Sequence, residues 1–419
     1  MEKNNRQTIC RKVQIYPLGD EEEKKRVYKF IRDGTYNQYK GLNLLMGQLA
    51  SEFYKNSMDL KSEDFNKWKK ANITNSNHLF DDLEFAVGVD SKSLIVQKVK
   101  QDFSTMIRNG LCKGERNISN YKRDYPLMTR GRDLKINHGY DSQQEFINNL
   151  FNEELSVNID WVNKIKFKII FGNPNKSQEF RNVIKNVLEE TYTIQGSSIE
   201  INGKKIMLNL SLSIPRKEHN LDENTVVGVD LGIAIPAMCA LNNSGYQRLR
   251  IGNKEDFFRI RTQLQAQRKR LQNGLKYTAG GHGRGKKLKA LDKLKDRETN
   301  FVKTYNHMVS KNVIEFALKN NAKYINLEDL GGFDNNEIIL RNWSYYQMQQ
   351  YITYKAELNG IIVRKINAFH TSQVCSNCGH WEEGQRVSQS QFICKSCGYE
   401  TNADFNAARN IARSKEFII

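Results

Sequence analysis

Residues 370–411 read HTSQVCSNCGHWEEGQRVSQSQFICKSCGYETNADFNAARNI, and the rest of the chain is interpreted outward from them. Cys375 and Cys378 form one C-x-x-C pair and Cys394 and Cys397 a second, with fifteen residues between the pairs. That spacing is the pattern of a zinc ribbon: each knuckle brings two thiolates to one point, and two knuckles close a tetrahedral four-sulphur shell. A shell with no open position is structural, so one Zn²⁺ is expected to fold the ribbon and not to activate water. His370 and His380 flank the ribbon, but four thiolates already complete the shell. A redox pair or a disulfide framework is the competing reading. The chain opens without a signal-peptide pattern, which favours the metal.

Seven residues past Cys397 comes Asp404, in DFNAARNIA (404–412). An acid at a helix start is favoured by the helix dipole, but two further acids change its meaning. Asp230 sits in TVVGVDLGIAIPAMCAL (225–241), a β-branched run broken by a glycine turn, which predicts two strands of a hairpin. Glu328 sits in AKYINLEDL (322–330), a short apolar strand ending in acids. A carboxylate in or ending such a strand is costly to bury unless something cationic meets it. Three of them from separated elements can converge on divalent ions, and Mg²⁺ prefers carboxylate oxygens. The order strand-Asp, strand-Glu, helix-Asp is that of an RNase H-like nuclease. Asp230, Glu328 and Asp404 are therefore expected to be catalytic and to hold two Mg²⁺ (or Mn²⁺) ions about 3.5–4 Å apart, serving an attacking water and a departing 3′ oxygen.

The set GVDLG (228–232), NLEDL (326–330), TSQ-x-C-S-x-C-G (371–379), F-x-C-x-x-C-G (392–398) and NADFNAARNIA (402–412) resembles the split RuvC-like nuclease of type V CRISPR effectors. It equally resembles their transposon-encoded relatives, the TnpB nucleases. The resemblance covers roughly 221–419; toward the N-terminus NYKRDYPL (120–127) and the overall size look like the miniature type V-F effectors. It implies an RNA-guided DNA endonuclease in which pairing with a guide RNA selects the target double-stranded DNA, while the protein reads a short flanking motif and the duplex backbone. Arg386, in the ribbon loop, resembles a basic residue that the family sets near the scissile strand.

Composition agrees with a nucleic-acid partner. The 419 residues carry a formal net charge of +18 and a sequence pI near 9.4, the electrostatic footprint of a nucleic-acid binder. No apolar run approaches a membrane span, and Cys10, Cys112 and Cys239 remain beside the ribbon's four cysteines. Both points fit a prokaryotic cytoplasm.

Toward the N-terminus, TICRKVQIYPL (8–18) predicts a strand, and residues 21–56 a helix with Val27, Phe30, Ile31, Leu42, Leu45, Met46 and Leu49 on one face. Further helices follow to about Leu111, one starting near Ser91. The texture then turns to β. In NKIKFKIIF (163–171), Ile165, Phe167 and Ile169 alternate with Lys164, Lys166 and Lys168, a strand with a lysine row outward. That row is either a solvated face or a phosphate contact, as are Lys122 and Arg123. Phe180, Val183, Ile184, Val187 and Leu188 mark a helix, and SSIEINGKKIMLNLSLSI (197–214) a hairpin with Asn202-Gly203 as a type I′ turn.

The expected fold class is thus α+β multidomain. A β-barrel-like domain is interrupted by helices, an arrangement that in the family is a wedge domain carrying a recognition domain. The boundaries are 1–20 and 116–214 for the wedge domain and 21–115 for the helical recognition domain. A linker covers 215–224, the RuvC-like nuclease 225–369, the zinc ribbon 370–400 and the final nuclease helix 401–419.

Residues 251–300 hold 14 Lys/Arg against 5 Asp/Glu, a surplus of nine and half the net charge. A helix capped by Asn253 carries Arg259, Arg261, Arg268, Lys269 and Arg270; the loop TAGGHGRGKK (278–287) adds Arg284, Lys286 and Lys287 before a long helix to about Asn321. Closely spaced cations gain by releasing condensed counterions, so a nucleic-acid contact is expected. The glycines match neither a Walker A loop nor a dinucleotide fingerprint, and predict a flexible joint. NWSYYQMQQYITYKAELNG (342–360) predicts a helix stopped by Gly360, with Tyr346, Ile352 and Leu358 toward the core, and IIVRKI (361–366) a buried strand.

Two rivals stay open. A non-cleaving DNA-binding transposition accessory would tolerate degenerate carboxylates, and all three are intact. A guide-free resolvase has little use for the 220 residues ahead of the nuclease. A further expectation concerns assembly. A guide–target duplex of about 20 base pairs spans roughly 55 Å, whereas a domain of about 220 residues is roughly 45 Å across. The type V-F effectors act as homodimers on one guide, and the near-neutral helical block 21–111 is the expected contact here.

Overall fold

Alternating residues from Arg6 to Pro17 build a twelve-residue strand, β1, around which the N-terminal half is assembled. The computed structural model describes residues 5–74, 89–137, 139–152, 155–172, 174–232, 235–329, 345–367, 371–388 and 390–417. They form two compact units, Met1–Pro215 and Arg216–Ile419. His370 lies outside the described residues. No helix among those described is long and apolar enough to cross a membrane.

In the first unit, α1 (Glu21–Lys55) begins at a capping box, with the Asp20 carboxylate accepting from Glu23 N and Glu23 accepting from Asp20 N. Its buried face, Leu42 to Phe53, packs with α2 (Glu63–Lys69) and α3 (Val89–Arg108) around Phe53, Phe65 and Phe103. The segment NYKRDYPL docks on this block: Asn43 brackets the Tyr121 backbone at 2.9 and 3.2 Å, and Tyr121 donates to Asp102 at 2.7 Å.

There follow β2 (Leu127–Thr129), β3 (Lys135–Asn137), α4 (Gln143–Asn149), β4 (Asn158–Asp160), β5 (Lys166–Ile170), α5 (Pro174–Leu188), β6 (Thr193–Ile194), β7 (Ser197–Asn202) and β8 (Lys205–Pro215). One sheet runs β2-β7-β8-β1-β5-β4-β3, with β6 also on β8. Among the described residues its end strands do not pair with each other; the sheet is a curled half-barrel, which fits the barrel-like expectation in part. Two local readings are corrected. Lys164 sits at φ +59° in a turn before β5, because the strand begins only at Lys166. In the hairpin, Asn202 pairs with Lys205, so the central residues are Gly203 and Lys204; only Gly203 has positive φ, as in a type II′ turn.

In the second unit β9 spans Asp222–Asp230, so the strand begins within the 215–224 stretch expected as a linker. It forms a meander with β10 (Ala237–Leu241) and β11 (Arg248–Ile251). After the helices α6 (Lys254–Lys276) and α7 (Gly281–Lys319), β12 (Ala322–Glu328) lies parallel to β9. Past α8 (Tyr345–Leu358), β13 (Ile362–Ile366) lies parallel to β12, giving the order β11-β10-β9-β12-β13. The two-stranded ribbon of β14 (Gln391–Ile393) and β15 (Glu400–Asn402) leads into α9 (Ala403–Arg413).

Alternation decides which face each residue serves. Val227, Val229, Ile325 and Leu327 point into a core closed by α7 and α8, while Met238 and Ala240 meet Phe405 and Ala408 of α9 on the opposite face. Three expectations change here. The glycine-rich stretch from Gly281 on is helical, leaving only 277–280 as a joint. Tyr346 is 71 % exposed and so does not belong to the core. β13 is an edge strand with Ile362 47 % exposed, not a buried one. Gly360, at φ +70°, ends α8 as expected.

Candidate active site and metal centre

Strand register carries Asp230 and Glu328 to the same row. Val229 pairs with Leu327, so the next residues, Asp230 and Glu328, are neighbours at the ends of two parallel strands. Two residues back, on the same face, Asn326 lies beside Gly228. Gly228 is what lets α9 close on this face: a Cβ built there would lie 2.1 Å from Ala408 O and 2.3 Å from Ala412 N. Asn326 fixes the far end of the helix, donating to Ile411 O at 2.9 Å. At the near end Asn402 caps the helix by accepting from Phe405 N at 3.1 Å, and Asp404 in the first turn is brought to the two strand acids.

Asp230 stands within the charge of both other carboxylates. Asp230 is held well above the ordinary carboxylate range, first by burial and then by the charges of Glu328 and Asp404. Burial also raises Glu328, against the opposing effect of the Thr371 hydroxyl, which donates to Glu328 Oε1. Asp404 is raised by burial and pulled back by Arg386, whose Nη2 donates to Asp404 Oδ1 at 3.0 Å. The backbone end of β12 is tied down by Gln349 Nε2, which donates to Glu328 O at 2.7 Å. Tyr345 stands close enough to Asp230 for its hydroxyl pKa to be raised by that charge as well as by burial. Like charges gathered at such cost fit hard divalent cations, which prefer carboxylate oxygens. Gly228 and Thr371 lie inside the motifs but drew no role from the sequence, and Tyr345 and Gln349 carried no signal at all.

The four cysteines meet in the other centre. Their sulphurs lie within 4.8 Å of one another, with Cys375–Cys397 at 3.8 Å and Cys378–Cys394 at 3.6 Å. Four sulphurs at about 2.3 Å from a tetrahedral Zn²⁺ stand about 3.8 Å apart, so the donor set fits that ion. The knuckles repeat one geometry. Gly379 N donates to Cys375 O at 2.8 Å and Gly398 N to Cys394 O at 3.0 Å. Both glycines have positive φ, +77° and +69°. His380 is turned to Glu382 at 3.2 Å and takes no part in the cluster.

α9 grips the first knuckle with its polar face. Asn406 accepts from Ser376 N at 2.8 Å and donates to Val374 O at 2.7 Å, Arg409 donates to Ser376 Oγ at 3.2 Å, and Asn410 to Thr371 O at 2.8 Å. Phe405 and Ala408 meanwhile face the sheet. One helix therefore joins the ribbon to the carboxylates.

The cationic candidates divide. Lys166, Lys168, Lys122, Arg123, Lys269, Arg270 and Lys286 are exposed, Arg123 lying over the Tyr36 ring at 4.7 Å. Arg261 and Arg268 instead meet Glu298 at 3.7 and 3.5 Å across the α6–α7 hairpin, and Arg259 lies 3.6 Å from Asp256. Arg284 donates to Leu275 O and Thr278 O, and Lys287 to Gly274 O, so both cap the C-terminus of α6.

Residues 345–411 match the family model described as Cas12f1-like, TNB domain. The chain is 36% identical over 313 residues to a CRISPR-associated endodeoxyribonuclease Cas12f1 of Sulfoacidibacillus thermotolerans, covering 72% of this chain and 71% of the relative. It is 32% identical over 141 residues to a TnpB-like protein of Methanocaldococcus jannaschii, covering 31% of this chain and 49% of that one. Its fold is similar to that of the protein in a cryo-EM structure of a Cas12f1–sgRNA–target DNA complex. The TM-score is 0.66 at 20% identity, over 98% of this chain and 99% of that one.

Proposed function

The chain belongs to the Cas12f1 family, and from that premise we propose that it is an RNA-guided DNA endonuclease cutting its target in a single RuvC-like site. The observation that carries the reading is the grouping of Asp230, Glu328 and Asp404 at one end of the sheet. These residues hold two Mg²⁺ or Mn²⁺ ions. When bound, such a pair supplies an activated water and charge stabilisation of the leaving oxygen. The protein's own share is positional: Thr371 and Gln349 orient Glu328, Arg386 orients Asp404, and the Asn402 cap sets the helix that carries it. Cys375, Cys378, Cys394 and Cys397 hold a structural zinc, and the ribbon it folds handles target DNA. The unit ahead of the nuclease combines wedge and recognition domains and takes the guide RNA. Asp230→Ala, Glu328→Ala and Asp404→Ala should each abolish plasmid cutting with guide RNA and Mg²⁺ present while guided duplex binding survives. Near-wild-type cutting by any one of them defeats the assigned triad.

Two copies act on one guide, meeting through the helical block. Its surface supports this: the block holds a cavity of about 340 Å³ lined by Leu49, Leu60, Phe65, Phe103 and Ile107 together with Lys69, Lys100 and Arg108, and its Tyr54 and Met58 are exposed. Light scattering of the protein–guide complex tests it. A mass of one chain per RNA at micromolar concentration, with full cutting, rules the dimer out. The TnpB-like relative favours a second setting, a transposon-encoded guided nuclease. A CRISPR array beside the gene identifies the first setting, transposon ends the second.

A further inference from the structure

Strand β11 sets Arg250 in the row of Asp230 and Arg248 two residues away in the row of Gly228. In the register of the meander, Met238 of β10 faces Asp230 on one side and Arg250 on the other; Ala240 likewise faces Gly228 and Arg248. Directly paired residues point to the same face of a sheet, so Arg250 and Arg248 project on the face that α9 covers. They stand at its free edge, where both are exposed. One contact agrees with that orientation: the Arg248 guanidinium lies 5.0 Å from the centre of the Phe405 ring on α9. Two strand spacings, about 10 Å, separate the backbones of Asp230 and Arg250. Arg250 is exposed at the edge of that face, whereas the apolar cluster there is Ile235, Met238, Ala240, Phe405 and Ala408, on which Arg248 lies. Arginine also matches phosphate by bidentate geometry.

We propose that Arg250 holds the phosphodiester next to the scissile one on the strand being cut, fixing that strand against the three carboxylates. Arg248, committed to Phe405, is the supporting neighbour. The proposal rests on the nuclease reading of Asp230, Glu328 and Asp404, and it adds a substrate-binding residue from an element outside the motifs.

The test is single-turnover cutting of a guided target duplex by the full chain, with the cut first mapped and then each linkage within two of it replaced in turn by an uncharged methylphosphonate. Arg250→Gln should slow cutting about 10- to 100-fold, the order expected when a reacting group is misplaced by up to an ångström, with guided binding changed less than twofold. One neutral linkage should slow the wild type by a similar factor and leave Arg250→Gln unaffected, and Arg250→Lys should recover part of the rate. Fully multiplicative losses from the substitution and every neutral linkage overturn the proposal, as does wild-type cutting by Arg250→Gln. If Arg250 acts only by lowering the Asp404 pKa, the deficit vanishes as pH rises; that outcome also overturns it. Cutting that does not depend on Asp230 sinks the nuclease reading itself, and with it this one; Asp230-dependent cutting indifferent to Arg250 sinks only this one.

Discussion

Gly228→Ala tests whether the closeness of α9 to the sheet sets the carboxylate geometry. The new methyl would meet Ala408 O at 2.1 Å and Ala412 N at 2.3 Å, and both are backbone atoms of one helix that no rotamer change can move aside. An ordinary contact needs about 3.5 Å, so the helix must retreat by about 1 Å. Overpacking of this kind costs about 1–3 kcal/mol, and at about 2–4 °C per kcal/mol for a unit of this size the melting temperature should fall by about 2–12 °C. The effect on cutting should be larger in proportion, because Asp404 rides on the same helix and about 1 Å of misplacement can cost about 100-fold in rate. Gly285, on α7, is the matched control, since a methyl added there would meet nothing within 4 Å. There the same substitution should stabilise by about 0.5–1 kcal/mol through helix propensity. Thermal melts and single-turnover cutting of the two variants, side by side, decide the matter. A Gly228→Ala protein that melts and cuts like wild type would refute the reasoning.

Two further outcomes follow from the site. Because Asp230 has its pKa raised by burial and by Glu328 and Asp404, its contribution to stability is present below the ordinary carboxylate range and lost as pH rises through the raised value. In buffer free of Mg²⁺ and Mn²⁺, Asp230→Asn should therefore melt above wild type at neutral pH, by about 2–4 °C for each kcal/mol relieved, with the gap closing on acidification; a variant less stable at every pH contradicts the electrostatics. Cys378→Ser should drop zinc from one per chain to near none by elemental analysis, and full retention of the metal would exclude the four-cysteine site.

What the sequence made legible was local. The C-x-x-C spacing, the β9–β10 hairpin and the Asn253 cap each depend on residues close in sequence, and the structure has all three. The basic stretch shows where that kind of reading stops. A charge count cannot distinguish Lys269 and Arg270, which are exposed, from Lys287, whose ammonium is bonded to Gly274 O and Thr278 Oγ1 at the end of α6. That difference exists only once α6 and α7 fold back on each other. Gly228 is the stronger case: in sequence it is one of two glycines in GVDLG, and its role depends on Ala408 and Ala412, some 180 residues later.

In NADFNAARNIAR (402–413), the sequence of α9 and its cap, the polar side of the helix is buried as well as the apolar one. Asn406 and Arg409 would pass for a solvated face, yet both are buried, because the ribbon inserted between β13 and α9 folds back onto that side of the helix. The helix has no free face left: the sheet takes Phe405 and Ala408, the first knuckle takes Asn406, Arg409 and Asn410, and Asp404 remains at the tip. Its placement is consequently determined from two directions at once. Gly228 sets how near the helix comes to Asp230 and Glu328, and the folded knuckle sets how it is rotated. Arg386 adds a third tie, running from the ribbon loop to Asp404 directly. A ribbon that loses its zinc therefore releases both the polar grip on α9 and the guanidinium on Asp404, and the carboxylate most exposed to that loss is the one farthest in sequence from the strands it must meet.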